Sequence, residues 1–154
     1  MIAIDCALRG STSVVCTDIN PAAVQNILHN AWALGVADSL SAECCDVFPA
    51  PTLHKCFDVV FWNVPFIFRT APTLDMLGRS VFDFNYGGLA KYVAGVQSCL
   101  SVSGRAYVGF SPTTGDLEQL GIVFARYGCC GKVIAKAELL DGFVLQLIEL
   151  VFAS

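Results

Sequence analysis

The strongest constraint on this chain is a change of backbone habit at residues 14–21. Val14, Val15 and Cys16 form a short apolar run that stops at Thr17-Asp18-Ile19-Asn20-Pro21. Asn20 is suited to cap a helix and Pro21 to occupy its first turn. From Val24 the apolar residues fall at Ile27, Leu28 and Ala31, the spacing of a helix with one buried face, and Gly35 is its stop. A strand thus hands over to an amphipathic helix, which is one β-α unit.

The alternation then repeats. Residues 41–45 read as a short strand and residues 58–62 as a fully buried one, β-branched and aromatic, which is expected to be central in a sheet. Leu89, Val93, Val96 and Leu100 share one helical face, and Gly104 precedes a strand at residues 106–110. Leu117, Leu120, Phe124 and Tyr127 form the next amphipathic face, with Asp116 and Glu118 near its N-terminal end and Gly128 as its stop. Residues 132–139 and 143–152 flank Asp141-Gly142, a strong hairpin signal. Parallel β-α units closed by a hairpin predict an α/β fold, a three-layer Rossmann-like sheet that is mostly parallel with a C-terminal antiparallel hairpin. A length of 154 residues fits one domain, residues 1–154. The least regular stretch, residues 64–85, follows the carboxyl end of a buried strand, where open α/β sheets place ligands.

Composition narrows the partners. Hydrophobic residues make up 55% of the chain and charged ones 14%, so a large core is expected and disorder is excluded. The net charge of -4 gathers no phosphates, so an RNA complex would need local basic groups, and a protein substrate is the easier of the two to accept. The eight cysteines follow no basic and apolar signal segment and are read as reduced thiols of a cytoplasmic protein. The pairs Cys44-Cys45 and Cys129-Cys130 lack the two-residue gap of a zinc turn, and no metal is expected. No apolar run reaches the ~20 residues that span a bilayer, so no membrane segment is expected.

Three places have the residue types for chemistry. Asp18, just past its strand, is placed to accept hydrogen bonds from ribose hydroxyls; the alternative is that Asp18 or Asn20 only caps the helix. Asp46 occupies the equivalent place after the next strand, the alternative being a turn aspartate bonded to its own backbone. Asn63-Val64-Pro65-Phe66 sets a polar amide at the tip of a very apolar strand, where polarity is costly without a partner. The Asn63 carbonyl is able to accept a hydrogen from a substrate amino group while Phe66 packs on a planar substrate and Pro65 fixes the turn. The alternative is that Asn63 closes the turn by local hydrogen bonding. For the apolar residues Phe68, Leu74, Met76, Leu77 and Phe82 of the following loop, ordinary core competes with packing on a substrate.

Together these segments resemble the class I S-adenosylmethionine-dependent methyltransferases, in particular the amino-methylating branch with an Asn-Pro-Pro-aromatic motif, which includes the release-factor glutamine methyltransferases and the small-domain ribosomal RNA methyltransferases. The resemblance runs over nearly the whole chain, through residues 14–21, Cys45-Asp46-Val47, Asn63-Val64-Pro65-Phe66, Asn85-Tyr86-Gly87-Gly88-Leu89 and residues 100–106. It implies that S-adenosylmethionine is the cofactor, contacted by Asp18, Ile19, Asp46, Val47 and Asn63. It also implies that Asn63, Val64, Pro65 and Phe66 are catalytic. The Asn63 side chain and the Val64 carbonyl would hold the hydrogens of an amide or exocyclic amine, so that the lone pair of its nitrogen points at the methyl group. The implied acceptor is a protein glutamine or a nucleobase. Val64 stands where the family has proline, which keeps the carbonyl but frees φ and adds an N–H.

The family's first strand and Gly-rich turn are not found: the thirteen glycines include no G-x-G, and residues 1–10 look like the helix that follows that turn. The expectation is an N-terminally incomplete domain, from an incomplete gene model, with a sheet that closes without the strand or a partner subunit that donates one as the alternatives. The rival enzyme readings are weaker. Gly109-Phe110-Ser111-Pro112 has Thr113 where the G-x-S-x-G elbow of a serine hydrolase needs glycine, and both histidines, His29 and His54, precede the serine. A nicotinamide dehydrogenase needs the glycine turn and leaves Asn63 to Phe66 unexplained. The non-enzymatic alternative is a methyltransferase-like binding or scaffold subunit without activity.

Overall fold

The hand-over at Asn20 is formed in the structure, a computed structural model that describes residues 2–48, 56–72 and 75–153. The chain divides into two units, Met1–Thr52 and Leu53–Ser154. In the first, α1 (Ile2–Leu8) leads to β1 (Val14–Asp18), α2 (Pro21–Ala33), a turn of 3₁₀ helix at Ala37–Ser39 and β2 (Leu40–Cys44). The Asn20 side chain accepts the Ala22 N–H at 3.0 Å, and Gly35 turns the chain out of α2 at φ +70. The strands β1 and β2 run parallel, from Val14 opposite Leu40 to Asp18 opposite Cys44. Ile4, Ala7, Ala31 and Leu40 are buried, with Val14, Ile27 and Val36 packed on them. This is a complete β-α-β unit, whose crossover helix buries Val24 and Ala31 and partly buries Ile27, whereas Leu28, expected on the same face, is exposed.

The second unit contains β3 (Phe57–Asn63), β4 (Ile67–Arg69), α3 (Met76–Arg79), β5 (Phe82–Phe84), α4 (Gly87–Cys99), β6 (Leu100–Phe110), α5 (Leu117–Arg126), β7 (Cys129–Glu138) and β8 (Val144–Phe152). Its main sheet has the order β3-β6-β8-β7, with β3 and β6 parallel and β8 antiparallel to both β6 and β7. Leu89, Tyr92, Val93 and Val96 of α4, Leu120, Val123 and Phe124 of α5, and Ala106, Val108 and Phe110 of β6 are all buried. The parallel pairs and the closing hairpin are those of the expected α/β class. Gly142 takes a positive φ of 78° in the hairpin turn, and Asp141 caps it by accepting the Phe143 N–H at 3.0 Å.

Two expectations are corrected. The run at residues 58–62 is neither fully buried nor central: among the described residues β3 pairs only with β6, and Val59 is 60% exposed. Apolar β-branched content reports on the faces of a strand, whereas the number of neighbours is set by pairing that leaves no local signal. Residues 64–85 contain only short elements among the described residues, α3 and a parallel pair of β4 and β5, Ile67 opposite Phe82 to Arg69 opposite Phe84. Three-residue strands are too short to show an alternation. Leu100 opens β6 and does not continue the face of α4, because the helix passes into the strand without a loop. His54 and Leu74, together with the side chain of Leu77, lie outside the described residues.

Candidate functional site

In the first unit the carboxyl ends of β1 and β2 carry the four residues singled out there. Asp18 Oδ1 accepts the Asn20 N–H at 2.8 Å, and Oδ2 has no hydrogen-bond partner among the described residues. The two capping alternatives are therefore divided between two residues: Asn20 caps α2, and Asp18 braces the backbone of Asn20 with one oxygen while the other stays open. The Ile19 carbonyl faces the Cys44 thiol, 3.6 Å away, and the Asp18 carbonyl accepts the Cys45 N–H at 3.1 Å. Asp46 is exposed. Its carbonyl accepts the Phe48 N–H at 3.1 Å, which makes Val47 the centre of a γ-turn with φ +73. A β-branched residue at such a φ is strained, a state that persists only where surrounding contacts enforce it. One such contact is the Thr17 hydroxyl, which donates to the Val47 carbonyl at 2.9 Å. Burial pushes the Cys16 and Cys45 thiols up, so neither is an activated nucleophile.

In the second unit Asn63 ends β3, is exposed, and makes no side-chain hydrogen bond to any described residue. The expected alternative, a turn closed by this amide, is therefore not what holds the loop. Val64 is buried, and Phe66 packs its ring against Phe143 with centroids 5.9 Å apart. The loop is fixed from outside by Tyr86, which is fully buried between Phe68 and Phe110 in edge-on contacts. Its hydroxyl donates to the Phe66 carbonyl at 2.7 Å and accepts the Asp116 N–H at 2.9 Å. Burial pushes the Tyr86 phenol up, so it remains a donor at neutral pH. Gly115 closes the same corner: a Cβ there would lie 2.8 Å from the Phe66 carbonyl oxygen and 2.7 Å from that of Ser111. A concavity of about 440 Å³ beside this corner is lined by Phe68, Pro112, Thr114, Gly115, Asp116 and Leu117.

Tyr86 is delivered by a strained turn, Asn85 and Tyr86 having φ of 51° and 49°. The buried Asp83 carboxylate holds that turn against α4 by accepting the Gly88 and Leu89 N–H groups, each at 2.9 Å. Burial pushes the Asp83 carboxyl up, and these amide donors partly oppose the shift. The sequence reading did not single out Asp83, Tyr86, Gly109, Gly115 or Asp116 for the site. The one available signal was Asn85 before Tyr86-Gly87-Gly88, since Asn is tolerant of positive φ and the glycines open a helix without side chains in the way. Ser111 is fully buried, and its hydroxyl has no hydrogen-bond partner among the described residues and so no base beside it. Among the described residues no three His, Cys, Asp or Glu side chains gather as metal ligands, and no helix is long and apolar enough to cross a membrane.

No protein-family model and no curated protein sequence matches the chain. Solved structures do. The 16S rRNA (adenine(1408)-N(1))-methyltransferase from Catenulisporales acidiphilia, as its W203A mutant, superimposes with a TM-score of 0.65 at 13% identity, over 99% of this chain and 80% of that one. The fold is that of S-adenosylmethionine-dependent methyltransferases. Magnesium protoporphyrin IX methyltransferase (ChlM) from Synechocystis PCC 6803, which holds bound SAM, shares this methyltransferase fold with a TM-score of 0.63 at 13% identity, over 99% of this chain and 64% of that one. P. horikoshii TYW2, in complex with MeSAdo, has a TM-score of 0.61 at 15% identity over 99% of this chain; the chain spans about half of its length, 53%.

Proposed function

We propose that the protein is an S-adenosylmethionine-dependent N-methyltransferase whose acceptor is an amide or exocyclic amine, carried by a protein glutamine or a nucleobase. The observation that carries this reading is the Asn63 amide, exposed at the strand tip with no hydrogen bond to any described residue, on a loop braced by Tyr86. A buried brace under an open amide is how a protein keeps a recognition group oriented before its ligand arrives. The Asn63 Oδ1 and the Val64 carbonyl accept the two hydrogens of the acceptor nitrogen, which leaves its lone pair directed away from both. Phe66 offers a ring face to the planar group, and the neighbouring concavity leaves room for the rest of the substrate. The open Oδ2 of Asp18 fits one ribose hydroxyl of the cofactor, with Ile19, Asp46 and Val47 as its further contacts. When bound, the cofactor supplies an electrophilic methyl group on a sulfonium. The chain's own part is to position the nitrogen and exclude water.

The test is calorimetric titration with S-adenosylhomocysteine, followed by transfer of labelled methyl to a glutamine-containing peptide and to bulk ribosomal and transfer RNA. Asp18→Ala should weaken cofactor binding about tenfold, the loss of one hydrogen bond. Asn63→Ala should lower transfer roughly 100-fold while cofactor binding stays. A folded chain that binds no S-adenosylhomocysteine would sink the reading in favour of an inactive subunit.

A further inference from the structure

We infer that Gly109 is a positioning residue that seats the Asn63 side chain. The inference rests on the reading of Asn63 as the acceptor-binding amide. Asn63 and Gly109 are register partners in the parallel pair of β3 and β6. A Cβ on Gly109 would lie 2.7 Å from Asn63 Oδ1 and 3.2 Å from Phe61 Cζ. The Asn63 amide and the Phe61 ring therefore both lean from β3 onto the bare backbone of β6. A glycine inside a strand is unfavourable relative to alanine, and it typically marks close approach of another group. Val108 and Phe110, whose side chains stand on the opposite face of β6, are fully buried and fix the strand that carries the glycine.

The seat explains how an exposed amide without hydrogen bonds keeps one orientation. Its oxygen is fixed by shape, and its hydrogen-bonding capacity is left entirely for the ligand. A side chain at 109 would displace the Asn63 Oδ1, one of the two acceptors that the proposed function assigns to the amino group.

The experiment is a double-mutant cycle on the full chain, made with Gly109→Ala, Asn63→Gly and both together, read by urea unfolding and by NMR of the side-chain amides. The expected result is that Gly109→Ala lowers the urea midpoint and moves the Asn63 Nδ2 resonances, and that most of the midpoint shift disappears in the Asn63→Gly background. An equal midpoint shift in both backgrounds, failure of Gly109→Ala to fold in both, or unmoved Asn63 resonances would overturn the seat. The functional reading fails separately. If the coupling is found but Asn63→Gly transfers methyl groups as the wild type does, the seat stands and the acceptor role of Asn63 falls.

Discussion

At the carboxyl end of β1 the side-chain hydrogen bonds of Asp18 and Asn20 stay within four residues: the Asp18 carboxylate holds the Asn20 N–H, and the Asn20 side chain holds that of Ala22. At the end of β3 the opposite holds, because the segment from Asn63 to Phe66 is braced by Tyr86, twenty residues further on, and through it by the backbone of Asp116, thirty residues beyond that. The first arrangement assembles as soon as its strand and helix meet. The second exists only when β3, the turn before α4 and the start of α5 are all in place. A local device tolerates mutation elsewhere, whereas a non-local one concentrates its dependence in a single buried hydroxyl.

The contrast can be broken most strongly at Tyr86. Tyr86→Phe keeps the ring but strands the Phe66 carbonyl and the Asp116 N–H, and it should destabilise the protein by about 3 kcal/mol in urea unfolding. Methyl transfer should fall with it, while S-adenosylhomocysteine titration is expected to change little. At Val47 the sign reverses. Val47→Gly relieves a strained γ-turn and should stabilise by about 1 kcal/mol, the strain removed less the entropy of glycine in the unfolded chain. A loss of stability there would mean that the Val47 side chain contributes more packing than its backbone stores as strain. Asn20→Ala should destabilise by about 1 kcal/mol through loss of the cap. Hydrogen exchange should show that loss in residues 20–25 and none around Asn63, as a local device requires.

The smallest effect is a pH dependence at Asp83. Its folded carboxyl is raised above the ordinary value of 3.8 by burial, so the folded state holds the proton more tightly than the unfolded state. The stability contributed by this group is fullest below 3.8 and is lost as pH rises through the raised value. The advantage of the wild type over Asp83→Asn should therefore be greatest in acid and shrink toward neutral pH, as measured by urea midpoints across that range. An advantage that grows with pH would mean that the amide donors outweigh desolvation.

The same contrast explains what could be read in the chain. The strand-to-helix hand-over at Asn20, the stop at Gly35 and the hairpin at Asp141-Gly142 are local, and each was legible from a few adjacent residues. The capping role of Asn20 was among the alternatives that capping chemistry offers, whereas the brace from Asp18 to the Asn20 backbone was not. By contrast, no pattern within ten residues of Phe66 announces that its carbonyl is held by Tyr86. That β3 pairs only with β6 among the described residues was illegible for the same reason: strand order is a property of pairing, and Val59 reads as core from its chemistry alone while lying exposed. Gly109 carries no local signal of its role, because the groups its bare backbone admits, the Asn63 amide and the Phe61 ring, stand on another strand.

β7 is exposed at every residue after Cys129, and among the described residues only β8 pairs with it. Val133 and Ile134 would be a template for stacking further chains if they stood alone, yet Lys132 and Lys136 bracket them. Two like charges brought against their own copies repel, so this margin of the sheet guards itself against fibre growth. The guard is electrostatic and weakens as salt shortens the range of repulsion. Replacing both lysines by neutral residues would turn the strand that completes the fold into the place where the protein first precipitates.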